Sequence, residues 1–245
     1  MPVHLPLITE VIERTAQGMT RPYLCMAEDG TAWFVKSAGA GWRSLACEWI
    51  AGRLASAFGL PVPAIAQPVV DEALAQALHA QGDRDLAAGA AFGSQRVDYA
   101  RDFEPALLAQ CPAESRRDLV AFDWWVRNAD RTLGDLSGNP NLLWVSGERR
   151  PVVIDHNLAF DPDFDPALFL QTHVFRADFL ALRDDLVSRA EYEQRFTALL
   201  PLLETFWAEI PHNWIYREDG QPRITLHEVR QVLDRVLDAQ FWSLP

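Results

Sequence analysis

Five polar side chains sit where a chain with an apolar core would not need them. Lys36 shares one face of the strand-like run TAWFVKS with Ala32 and Phe34, because side chains alternate along a strand. Glu48 lies in the following helix-like segment, within reach of that ammonium. Asp130 follows an apolar helix and sits in a loop, where a carboxylate can orient a hydroxyl and accept its proton. Asn141 begins one short apolar run and Asp155 ends the next, and a hairpin of the two runs would bring them together. An amide oxygen beside a carboxylate suits a hard cation such as Mg2+, which keeps water and phosphate oxygens as its other ligands. A lysine for phosphate, an Asn and an Asp for metal and an Asp for the nucleophile are the parts of phosphoryl transfer.

The elements that must position these groups read as two blocks. In the first, the runs at 11–15, 23–27 and 31–37 alternate as strands, with Glu28-Asp29-Gly30 turning the last two into a hairpin. WRSLACEWIAGRLASAF (42–58) has helical spacing at Leu45, Trp49, Leu54 and Phe58, and Gly59 and Pro61 stop it. One further strand is expected over 63–70, a helix plus loop over 71–90, and a strand over 90–97. After Tyr99 the character changes. A helix is expected over 113–127, then the hairpin NLLWV/PVVID around Ser146-Gly147-Glu148, then helices near 176–187, 190–209 and 226–240. The last begins with a capping box, Thr225 and Glu228, and a staple, Ile224 and Val229. The adjacent Trp124 and Trp125 point to different helix faces, so one of them is expected near the surface. The expected organisation is α+β: a sheet-rich N-terminal lobe with one main helix (1–97), a helical C-terminal lobe carrying the hairpin (98–245), and a cleft between them.

Composition narrows the function classes. The 245 residues are 49% hydrophobic and 23% charged, enough for a substantial core. The net charge of −12 argues against an extended nucleic-acid surface and against docking on anionic lipid. No run is long and apolar enough to span a membrane, and the N-terminus does not read as a secretory signal. Cys25, Cys47 and Cys111 are scattered and odd in number, which fits a reducing cytoplasm better than a disulfide framework or a zinc cluster. The acidic run Asp161-Pro162-Asp163-Phe164-Asp165 has Pro166 where a calcium loop needs glycine, and reads as a turn. His156, beside Asp155, reads equally as a phosphate contact or a structural imidazole.

The order of parts, Lys36, Glu48, RNADR, NPNLLW and VVIDHNLAF, resembles the HipA-like kinases, especially compact members without the extra N-terminal subdomain. The RNADR-to-VVIDHNLAF segment also resembles type II phosphatidylinositol 4-kinases. The resemblance implies a two-lobed protein-kinase-like fold using ATP and Mg2+. It gives Lys36 the ATP phosphates with Glu48 as its partner, Asp130 the catalytic loop, and Asn141 and Asp155 the metal. Backbone groups from Gln95 through Val97 to Tyr99 would meet adenine, and the loop from Thr15 to Thr20, with Gly18, would cover the phosphates. HipA-like kinases can phosphorylate themselves in that loop, which makes Thr15 and Thr20 candidates. It further implies a protein substrate with a Ser or Thr acceptor and an antitoxin-type partner, with a lipid kinase or a non-catalytic nucleotide-binding module as alternatives. Three departures stand out. The spacing from Asp130 to Asn141 is long, so that Asn139 or Asp135 could serve instead of Asn141. The segment Asp155-His156-Asn157 lacks a glycine, and the phosphate loop has a single one.

Overall fold

Strand alternation shapes the first sheet. In β2 (Tyr23–Ala27) and β3 (Ala32–Lys36), Tyr23, Cys25, Trp33 and Val35 are buried in one apolar cluster with Ile8 of β1 (Leu7–Arg14). The computed structural model describes residues 5–15, 20–133 and 138–243. β1 starts four residues earlier than the alternation suggested. The helix α1 spans Trp42–Phe58, with the expected bounds.

The single strand expected over 63–70 is two, β4 (Ile65–Ala66) and β5 (Val69–Val70), divided at Gln67-Pro68 because proline has no N–H for a ladder. After α2 (Glu72–Ala80), capped by Asp71, the strand expected over 90–97 is likewise two: β6 (Gly89–Ala90) and β7 (Phe92–Gln95). The sheet order is β4-β7-β3-β2-β1-β5-β6. Only Gln67 and Pro68 separate β4 from β5, and only Ala91 separates β6 from β7, yet the members of each pair lie at opposite ends of that order. The sheet therefore curls until its ends approach. Ala91 N–H donates to the Pro68 carbonyl across this corner at 2.9 Å. Gly93 is required there, since a Cβ would come within 2.7 Å of the Pro68 ring.

The second block begins with β8 (Ala100–Asp102) and a 3-10 turn at Pro105–Gln110. Helix α3 (Ala113–Val126) follows, then the hairpin β9 (Leu142–Val145) and β10 (Arg150–Val153). These strands make a three-stranded sheet in the order β10-β9-β8. The remainder is helical: α4 (Pro166–Thr172), α5 (Arg176–Asp184), α6 (Leu186–Thr197), α7 (Leu203–Ala208), α8 (His212–Ile215) and α9 (Leu226–Leu233).

Three helix expectations need correction, one being that over 226–240, which ends as α9 at Leu233 and goes on as a 3-10 turn at Asp234–Leu237. The helix expected over 190–209 breaks into α6 and α7 around a 3-10 turn at Leu200–Leu202, where Pro201 cannot donate. The end of α5 is set by Asp185, whose carboxylate caps α6 by accepting from the Val187 and Ser188 N–H groups. Helix α9 has its full capping box, and Ile224 and Val229 are both buried. Trp124 and Trp125 are also both buried, contrary to the expectation of one near the surface. Every residue of α3 from Leu119 to Val126 is buried, because α5 and α9 pack on it. The indole N–H groups are satisfied by the carbonyls of Phe241 and Leu233.

The chain divides into two compact units: residues 1–49, 63–98 and 210–223 form the first, and 50–62, 99–209 and 224–245 the second. The division falls within α1 and assigns the segment 210–223 to the sheet-bearing unit. Among the described residues, no helix is long and apolar enough to cross a membrane.

Candidate functional site

In the first unit, Lys36 ends β3 and is only 7% exposed, while Glu48 on α1 is 3% exposed. Lys36 Nζ donates to Glu48 Oε1 and Oε2 at 3.0 and 2.9 Å. α1 is buried all round here: Leu45, Ala46, Cys47, Ile50 and Ala51 are inaccessible. Glu48 is therefore no ordinary surface acid. Removing two charges from water costs several kcal/mol each, and two well-packed apolar side chains would often do as well or better for stability. A buried pair of this kind points to a use for the charge.

Gln95 closes β7 opposite Trp33, with its N–H on the Ala64 carbonyl, and the Arg96 N–H is taken by Ala32. Val97 is half-buried, and Tyr99, in a left-handed conformation (φ 58°), is 94% exposed. The two sides of the expected phosphate loop meet at Thr15, whose N–H donates to the Pro22 carbonyl at 3.0 Å. Thr20 is half-buried. Gly18, with Ala16, Gln17 and Met19, lies outside the described residues, as does Asp135.

In the second unit, the hairpin register pairs Leu142 with Val153, and the Ile154 N–H donates to the Asn141 carbonyl at 3.1 Å. Asn141 and Asp155 thus stand at the same open end of the hairpin. Asn141 Nδ2 donates to the Asp130 carboxylate and to the Asp130 carbonyl, both at 3.1 Å. One amide therefore links the loop carboxylate to the hairpin. Both Asn141 (φ 48°) and Asp155 (φ 57°) adopt the left-handed conformation, which Asn and Asp tolerate best after glycine. Strain of this kind, about 1–3 kcal/mol per residue, concentrates at functional sites.

The long spacing between Asp130 and Asn141 is absorbed by an excursion closed at its base. Thr132 N–H donates to the Asn139 carbonyl at 3.0 Å. Gly138 (φ 152°) is needed there, since a Cβ would strike the Thr132 carbonyl oxygen at 2.7 Å. Asn139 Oδ1 accepts the Asn141 N–H, so the Asn139 side chain is committed to the turn, whereas Asn141 is the one tied to Asp130.

His156 is 3% exposed and meets Phe122 edge-on at 5.8 Å, a packing role rather than an open one. The glycine-free segment after it is held in place: Asn157, Ala159 and Phe160 are buried, and the Phe160 N–H is fixed to the Val126 carbonyl at 2.7 Å. The acidic run is a turn and a cap. Asp161 accepts the Asp163 N–H, and Asp165 caps α4.

Sequence reasoning missed a second layer beneath Asp130 and Asn141. Asp123, Asn128, Arg131 and His173 are all 0% exposed. Asp123 Oδ2 accepts from Arg131 Nε at 2.7 Å and pairs with His173 Nε2 at 3.0 Å, while its Oδ1 accepts from Asn128 at 2.9 Å. His173 Nδ1 accepts the Phe175 N–H at 3.0 Å, so it carries no proton, and the proton lies on Nε2. Burial, the largest influence on His173, keeps the ring neutral, with its pKa below 6.5 in spite of the adjacent carboxylate. Burial also works against ionisation of Asp123, but the Arg131 charge and then the His173 hydrogen bond overcome it and hold the carboxyl well below its usual range. The available signal was Asp123 itself, an acid in the middle of the apolar run LVAFDWWV.

The HipA-like kinase family model matches residues 8–245, nearly the whole chain. The chain belongs to the HipA-like kinase family. The HipA-like chain is also similar in fold to the crystal structure of a Helicobacter pylori proinflammatory kinase, CtkA, at 10% identity and a TM-score of 0.50. That match covers 95% of this chain and 92% of the other, and it supports the two-part kinase-like architecture. No curated protein matches the sequence. Family and fold together make this HipA-like protein a kinase-like phosphotransferase that uses a nucleotide.

Proposed function

We propose that the protein transfers the terminal phosphoryl group of ATP, with Mg2+, to a serine or threonine hydroxyl of a protein substrate. The observation that carries this reading is the hydrogen bond from Asn141 to Asp130 at the open end of the hairpin that also presents Asp155. Asp130, oriented by that bond, is the group to accept a hydrogen bond from the acceptor hydroxyl and take its proton. Asn141 Oδ1 and Asp155 are hard oxygen donors. Among the described residues there is no cluster of three or more His, Cys, Asp or Glu side chains poised for a metal. Two protein ligands, with phosphate oxygens and water completing the shell, fit Mg2+ better than a transition metal. When bound, Mg-ATP supplies the phosphoryl group and the neutralisation of its charge.

Lys36, held by Glu48, is assigned to the phosphates. The Gln95–Val97–Tyr99 backbone is assigned to adenine, and the Thr15–Thr20 loop with Gly18 to covering the phosphates. Cys25, Cys47 and Cys111 are all buried, which is consistent with a reducing cytoplasm as the site of action. An antitoxin-type partner follows from the resemblance alone.

Purified protein with labelled Mg-ATP should phosphorylate itself or a protein acceptor. Asp130→Ala and Asp155→Ala should each lower the rate on the order of 10²-fold or more. Equal turnover in wild type and both variants removes the assignment. Transfer to anionic vesicles but not to protein would favour a lipid acceptor, and ATP binding without transfer would indicate a non-catalytic module.

A further inference from the structure

We propose that Arg131 is a positioning residue for the metal-holding end of the site, an inference that rests on the kinase reading above. Its guanidinium is fully buried, and it joins segments that contribute different groups. Nε donates to Asp123 at 2.7 Å, which fixes the plane of the fork. Nη1 donates to the carbonyl oxygens of Asn141 at 2.6 Å, Ile154 at 3.1 Å and Pro140 at 3.2 Å. Asn141 is one proposed metal ligand, and Ile154 immediately precedes the other, Asp155. The Arg131 backbone adjoins Asp130, and its carbonyl accepts the Val174 N–H at 3.0 Å. One side chain thus sets the spacing between the two strand ends and secures both to the loop that carries the nucleophile-orienting acid.

A purely structural role does not account for the choice of residue. Among the described residues, Nη2 is buried without a hydrogen-bond partner, a cost that an apolar filler would avoid. Lysine would place a point charge beside Asp123, but it has no planar fork to reach the carboxylate and the carbonyls in fixed directions. Residues that orient ligands from behind typically change metal affinity or activity by 10–100-fold when replaced.

The test uses the full chain and Mn2+ as a paramagnetic probe, titrated by electron paramagnetic resonance in the presence of a non-hydrolysable ATP analogue. Arg131→Lys should weaken Mn2+ binding about tenfold and lower kcat to a similar degree, with KM for ATP nearly unchanged at saturating metal. Val229→Ala, a cavity in the buried face of α9, serves as a control that lowers the melting temperature without touching the hairpin. It should leave the Mn2+ affinity at the wild-type value. If Arg131→Lys does not fold, Asp123→Asn, which keeps the shape and removes the anchor charge, is read against the same threshold. Wild-type Mn2+ affinity in the folded Arg131 or Asp123 variant, or equal weakening in Val229→Ala, overturns the positioning role alone. A wild-type protein that binds neither Mn2+ nor nucleotide overturns the kinase reading with it.

Discussion

The two buried charge clusters solve different problems. In the sheet-bearing unit, a lysine and a glutamate face each other with one oxygen pair and one ammonium. In the helical unit, Asp123 collects a guanidinium, an imidazole N–H and an amide, and Arg131 passes the connection on to backbone carbonyls. The first arrangement keeps a compact point charge in place on a flexible stem. The second is a frame with fixed directions. The difference shows that burial of charge is not one device. On the proposed reading, the first cation is kept beside a carboxylate to meet an anion. On the same reading, the second, bound to several chain segments at once, aligns the groups at the hairpin end.

The comparison can be broken by making each cluster apolar. If Lys36 serves the phosphates as proposed, the double variant Lys36→Met/Glu48→Leu should lose phosphoryl transfer by about 10²–10³-fold. Its melting temperature should equal or exceed that of wild type, because isosteric apolar pairs commonly match or improve on buried ion pairs. The corresponding change in the frame, Asp123→Leu/Arg131→Met, should lower the melting temperature. It strips donors from the carbonyls of Asn141 and Ile154, and an unmatched buried group costs about 1–3 kcal/mol. Equal stability of the two double variants, read by thermal denaturation, would erase the distinction.

A smaller effect concerns pH. His173 and Asp123 both have pKa values below their ordinary ones of 6.5 and 3.8. As pH falls, the unfolded chain takes up these protons first. The stability from His173 is therefore complete well above pH 6.5 and declines as pH drops below it, and that from Asp123 declines only below 3.8. The slope from His173 is bounded at about 1.4 kcal/mol per pH unit. Melting temperatures of His173→Gln between pH 8 and 5 should fall less steeply than those of wild type, and an unchanged slope would place the acid sensitivity elsewhere.

Where local rules act, the sequence was readable. Alternation put Lys36 on one strand face, hairpin pairing put Asn141 and Asp155 at one end, and the bounds of α1 followed from its periodicity and its Gly59-Pro61 stop. Pattern reading failed where one residue overrode a longer run. Pro68 split a strand, Pro201 and Asp185 ended helices, and the fully surrounded position of α3 hid both tryptophans. The frame was invisible for another reason. Asp123, Arg131 and His173 are 8 and 42 residues apart in turn, and no periodicity connects them. Only the oddity of an acid among apolar neighbours marked the place.

The curled sheet has one more consequence. Its outermost strands, β4 and β6, are two residues long, and prolines at 61, 63 and 68 lie beside or between the nearest strands. Unpaired strand margins are where foreign polypeptide adds on and fibrils nucleate. Among the described residues, the longer margin lies on β1, whose Thr9–Arg14 stretch pairs with β2 while β5 meets only Leu7 and Ile8, so a segment of another chain that extends this ladder would add along that stretch.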